Sequence, residues 1–138
     1  PREATLPANA RPERVTFAQG DATDMQASLG TFDLIVASNL LCRLPKPSLF
    51  LDNVAKFLNP GGVLLLVSPY SWLDEYTPVK EWLGAKDGQH SYDAIKAYVK
   101  ENKLPLEQTH QEDISFLIRE HARKFQYGVS DAVVFKKL

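Results

Sequence analysis

Two short apolar runs, FDLIVA at Phe32 to Ala37 and VLLLV at Val63 to Val67, constrain the fold of this chain more than any other feature. Continuous apolar runs of this length, bounded by turn residues, suit strands of a parallel sheet covered on both faces. Between them lies one helical segment. Pro47 and Ser48 open it, because the fixed φ of proline suits a first helical turn. Phe50, Leu51, Val54, Phe57 and Leu58 then recur at helical spacing and form one apolar face. Asn59-Pro60-Gly61-Gly62 stops it. Strand, helix and strand at this spacing predict a βαβ unit with a right-handed crossover.

The flanking segments extend this unit. Val15 to Gln19 (VTFAQ) alternates apolar and polar residues and is expected to be a strand ending at Gly20-Asp21. Pro69 to Gly88 reads as a long connection carrying Trp72 and Trp82, with Trp82 a core anchor. Ser91 is expected to cap a second helix with Tyr92, Ile95, Tyr98 and Val99 on one face. Leu106 to His110 suits a strand. Phe125, Tyr127, Val129, Val133 and Phe135 fall on alternate positions interrupted by Asp131, the pattern of a longer antiparallel strand. The expected architecture is α/β: a Rossmann-like, open, mostly parallel sheet ending in an antiparallel hairpin. Residues 1–14, rich in Pro, Ala and Arg, are expected to be a linker or surface connection, with the domain at 15–138. With no initiator Met, the chain is expected to be a piece of a longer protein.

Composition removes several function classes. The formal net charge is −1 over 138 residues, which gives no electrostatic case for nucleic acid. The one basic cluster, Arg119, Arg123 and Lys124, is interrupted by Glu120 and reads as a solvated face. Cys42 is the single cysteine, so neither an intramolecular disulfide nor a zinc framework can be built. His90, His110 and His121 show no metal spacing, and no metal is expected. No apolar run approaches the roughly 18 residues of a membrane span, so a cytoplasmic location is the expectation.

In open α/β sheets, ligands bind beyond the carboxyl ends of the strands. Three such ends are legible: Gly20-Asp21-Ala22, Ser38-Asn39-Leu40 and Ser68-Pro69-Tyr70. The segments GDATDM, FDLIVASNLLCRL and LNPGGVLLLVSPY, in this order, resemble three successive motifs of class I S-adenosylmethionine-dependent methyltransferases. The resemblance implies that Asp21 accepts a hydrogen bond from the adenine amino group, with Gly20 and Ala22 beside it. It also implies that Ser38, Asn39 and Leu40 line the methionine side of the cofactor, and that Gly61 and Gly62 form a structural turn.

The later segments SPYSWLDEYTPVKEWLG and FLIREHARKFQYGVSDAVVF are similar to the C-terminal domain of ovothiol-biosynthesis enzymes. That resemblance, running from about Arg14 to Lys136, implies methylation of an imidazole nitrogen of mercaptohistidine. Tyr70 and Trp72 are candidates for walling the acceptor pocket or for packing the loop on the sheet. Arg119 and Arg123 are candidates for holding an amino-acid carboxylate, or for ion pairs with Glu120 or Glu112. No catalytic base is singled out. The glycines at 20, 30, 61, 62, 84, 88 and 128 form no GxGxG, so the glycine-rich loop of such enzymes is expected from a preceding segment or a complementing chain. A methyltransferase for another small molecule, or a non-catalytic docking module of the same fold, remains open on sequence alone.

Overall fold

A computed structural model describes residues 5–86 and 88–138; the first four residues of the expected linker lie outside them. Four strands and two α-helices make the frame: β1 (Phe32–Ser38), α1 (Pro47–Val54), β2 (Leu58–Ser68), α2 (Ser91–Glu101), β3 (Leu106–His121) and β4 (Lys124–Lys137). The strands form one sheet in the order β1-β2-β4-β3. β1 runs parallel to β2, while β4 runs antiparallel to both β2 and β3. This is the α/β sheet with a C-terminal antiparallel hairpin that the sequence predicts.

The period of two decides which side chains enter the core. Ile35, Leu64 and Phe135 lie in one cross-strand row, and Ala37, Leu66 and Val133 in the next. α1 contributes Phe50, Leu51 and Val54 to the same cluster, and α2 contributes Ile95 and Val99. Burying residues of this size stabilises by about 1.5–3 kcal/mol each. The opposite face is different. Leu34 and Val36 are 55% and 54% exposed, and Val63, Leu65, Val67 and Val134 are half-buried.

The Asn59-Pro60-Gly61-Gly62 turn lies inside β2 rather than directly after the helix, and Leu58, expected on the helical face, is the first residue of the strand. Phe32 pairs with Leu58 and Leu34 with Val63, so the turn bulges out between two successive pairings. The helix before it ends at Val54 and tightens into a 3-10 turn over Ala55–Phe57.

Three expectations are corrected. Val15 to Gln19 forms no strand, and Phe17 is 92% exposed. A strand needs a hydrogen-bonding neighbour, and no described residue pairs with this segment. Ser91 is the first residue of α2 rather than its cap, and its hydroxyl accepts a hydrogen bond from Trp72 Nε1 at 2.8 Å. The last two strands are also longer than the sequence pattern suggests. Asp113 and Asp131 pair at the level of Ser68, the end of β2. Beyond them Ile114–His121 and Lys124–Ser130 pair only with each other, forming an arm that reaches about 27 Å past the sheet.

Candidate cofactor and acceptor site

The carboxyl ends of β1 and β2 define the functional rim. Both are followed by non-glycine residues in the left-handed region, Asn39 at φ 53° and Tyr70 at φ 50°. That conformation costs roughly 1–2 kcal/mol in an L-residue and persists only when neighbours hold it. Asn39 is held by its N–H, which donates to Val67 O at 2.8 Å. Tyr70 is held at three points. Its N–H donates to Ser68 Oγ at 3.1 Å, its carbonyl accepts from Trp72 N–H at 2.9 Å, and its hydroxyl donates to Asp131 Oδ2 at 2.9 Å.

A cleft of 270 Å³ opens beside β1. Gly20, Asp21, Ala22 and Leu40 line it together with Met25 and Ile35, among other apolar groups. The structure thus brings together four of the six residues expected at the cofactor; Ser38 and Asn39 stand exposed at the adjoining strand end. Asp21 Oδ1 accepts from both the hydroxyl and the N–H of Thr23, at 2.7 and 2.8 Å. Those bonds, the hydroxyl first, hold the Asp21 carboxyl below its ordinary range. Oδ2 keeps its acceptor capacity. An apolar slot with a carboxylate at its rim matches a flat heteroaromatic ring bearing an exocyclic amine.

A second cavity, of 360 Å³, lies beyond the end of β2. Tyr70, Tyr92, His90, Gln111, Asp113 and Asp131 contribute to its wall. Asp131 is 9% exposed, and its second oxygen accepts from Gln111 Nε2 at 2.6 Å. Burial first, and then the charge of Asp131, raise the Tyr70 phenol well above its ordinary value, so it remains a neutral donor. Sequence reasoning passed over Asp131 and Gln111. The signal for Asp131 was present: it is the one charged residue interrupting the alternation of β4.

The other candidates lie elsewhere. Trp72 is buried and belongs to the core rather than to an acceptor pocket, with its ring stacked on Trp82 at 6.4 Å. Trp82, expected as a core anchor, is partly buried against the core, and its Nε1 donates to Thr77 O at 2.7 Å. Arg119 and Arg123 sit far out on the β3–β4 arm and line neither cavity. Arg119 Nε donates to His121 O at 3.3 Å with its guanidinium 6.0 Å from the Phe125 ring. The expected arginine ion pairs are also absent among the described residues: Glu120 pairs with Lys124 at 2.6 Å, and Glu112 lies 3.7 Å from His110. Cys42 is a buried free thiol. No group of metal-holding residues and no helix long and apolar enough to cross a membrane occurs among the described residues.

Comparison with known proteins decides the family. A family model described as a methyltransferase domain matches residues 6–123. The chain belongs to this methyltransferase-domain family. Among solved structures, a SAM-dependent methyltransferase from Methanosarcina mazei is similar at a TM-score of 0.56 and 17% identity, over 86% of this chain and 65% of that one. The N-methyltransferase NodS from Bradyrhizobium japonicum WM9, solved with S-adenosyl-l-homocysteine, is similar at a TM-score of 0.51 and 21% identity, over 87% and 53%. Both likenesses are of fold. A highly reducing polyketide synthase, sorA, from Penicillium rubens is 42% identical over 43 residues, which are 31% of this chain and 2% of that protein. The methyltransferase domain seen here therefore spans only part of the length of these relatives.

Proposed function

We propose that this methyltransferase domain carries the adenine-side and acceptor-side walls of an S-adenosylmethionine-dependent enzyme that methylates an imidazole nitrogen of mercaptohistidine. One observation carries the reading. Two clefts lie at the carboxyl ends of neighbouring parallel strands, one apolar with Asp21 at its rim, the other polar and built around Tyr70. Gly20, Asp21 and Ala22 would hold the adenosine end of the cofactor, with Ser38, Asn39 and Leu40 toward its methionine end. The bound cofactor supplies an electrophilic methyl on a sulfonium sulfur.

The role of this chain is position and exclusion of water. Met25, Ile35 and Leu40 give the cofactor cleft apolar walls against which a flat ring can pack. Tyr70, fixed by Asp131, orients the acceptor ring. A neutral imidazole nitrogen already has a free lone pair, so no strong general base is required of the protein. A glycine-rich segment, from the same protein or a complementing chain, completes the methionine end. The uncovered face at Leu34 and Val36 supports a further packing layer there.

The test is an assay of the complete protein with S-adenosylmethionine and mercaptohistidine, read by mass spectrometry for one added methyl group. Turnover confined to unrelated small-molecule acceptors removes the mercaptohistidine assignment. Absence of turnover with every acceptor, together with absence of cofactor binding, leaves the non-catalytic module. Calorimetry of residues 1–138 alone is expected to show no tight cofactor binding, and tight binding by that piece overturns the need for a complementing segment.

A further inference from the structure

We infer that Asp131 is a positioning residue that selects acceptors presenting N–H donors and positive charge, and that it acts by fixing Tyr70 as a hydrogen-bond acceptor in the second cavity. The inference rests on the methyltransferase reading and specifies the chemistry of its acceptor.

The geometry is as follows. The Tyr70 hydroxyl has one proton, and it is committed to Asp131 Oδ2 at 2.9 Å. What the phenol oxygen retains toward a ligand is acceptor capacity. Asp131 is fixed from the other side by Gln111 Nε2, and β4 holds it in register with Ser68 at the end of β2. The left-handed backbone at Tyr70 is a strained way to place an aromatic ring, and the Asp131 bond is one of the contacts that maintain it.

The surrounding charge points the same way. Asp93, Asp113 and Asp131 line the cavity together with His90, and among the described residues no lysine or arginine does. Lys96 sits over the Tyr92 ring at 5.8 Å and lines a separate cavity. An anionic acceptor would meet the phenol oxygen and the negative charge of the three carboxylates. A protonated amine or an imidazole N–H would meet their complement.

Two probes sharing one ring separate these cases: histamine, with an ammonium arm, and 3-(imidazol-4-yl)propionate, with a carboxylate arm. Binding of each to the complete protein is measured by calorimetry near neutral pH, with S-adenosyl-l-homocysteine titrated in parallel. Wild type is expected to prefer histamine by about tenfold or more. Asp131→Asn keeps the shape, and is expected to reduce that preference to within about twofold while the affinity for S-adenosyl-l-homocysteine is unchanged. Tyr70→Phe leaves Asp131 bonded to Gln111, and is expected to weaken histamine binding severalfold. It serves as the test if Asp131→Asn does not fold. Equal binding of the two probes by wild type, or a full histamine preference in the soluble variants, overturns the inference. Loss of S-adenosyl-l-homocysteine binding in wild type, with an Asp131-dependent histamine preference intact, overturns the methyltransferase reading and upholds this one.

Discussion

The side-chain amide of Asn59 donates to the Asp33 carboxylate at 2.7 Å, fastening the turn within β2 to the beginning of β1. The parallel pairing of these two strands sets the level of the rim where both clefts open, so this turn is a structural part of the site although it touches neither cleft.

Gly62 is the most constrained residue of that turn. A Cβ there would lie 2.8 Å from Asn59 O and 3.1 Å from Phe32 O, both backbone atoms. Gly62→Ala is therefore expected to destabilise the domain by about 1–3 kcal/mol through overpacking, measured by urea unfolding. An unchanged midpoint would mean that the β1–β2 register does not depend on this close approach.

Trp72 offers a test of core against pocket. Trp72→Phe removes the donor to Ser91 and leaves a buried hydroxyl, a loss of about 1–3 kcal/mol in stability. In the complete protein its KM for the acceptor should stay near wild type, whereas Tyr70→Phe should raise it. A raised acceptor KM in Trp72→Phe at undiminished stability would return Trp72 to the pocket.

Asp21 tests the cofactor assignment. Asp21→Ala in the complete protein is expected to weaken S-adenosyl-l-homocysteine binding by about tenfold, measured by calorimetry. Thr23→Val removes the hydroxyl donor that does most to lower the Asp21 pKa, so that pKa should move back up toward 3.8, followed by carboxyl NMR titration. Unaltered affinity in Asp21→Ala would place the adenine elsewhere.

Tyr98 gives the domain an alkaline limit. Burial first, then the hydrogen bond to Asp52, push its phenol up to about 12 from an ordinary 10.0. A pKa raised on folding means that the protonated phenol favours the native state. Its contribution is fully present below pH 10 and disappears as pH rises through about 12. The stability difference between wild type and Tyr98→Phe should therefore be constant below pH 10 and shrink above it in urea unfolding. A difference that persists unchanged at high pH would rule out titration of Tyr98 as its source.

β1, α1 and β2 were legible because each carries its own local signal: a continuous apolar run, a helical stripe, or a turn of Asn, Pro and Gly. Val15 to Gln19 alternates as a strand should, yet alternation alone supplies no hydrogen-bonding partner. The outer half of β3 was missed because Arg119, Glu120 and His121 are exposed and leave no periodic trace of burial. At the site, Asp21 was legible from the GDATDM motif although the strand expected before it does not form, and Tyr70 as a polar group just past a strand end. Trp72 stayed open between pocket wall and core packing because a sequence does not say whether an aromatic beyond a strand turns inward; it turns into the core. Asp131 announced itself only as a defect in an apolar alternation, and its partner Tyr70 is 61 positions away.

β4 is the latest strand in the chain and yet an interior one, flanked by β2 and β3. Until it is in place β3 has nothing to pair with, and the buried side of β2 lacks Val133 and Phe135. Closing the sheet therefore requires the β2–β4 pairing, whose partners are distant along the chain and of the kind that close slowly. Asp131 lies on that same strand, so the acceptor cavity depends on the β2–β4 pairing, and a chain stripped of β4, Lys124 to Lys137, would keep the residues of the cofactor cleft but lose a wall of the acceptor cavity.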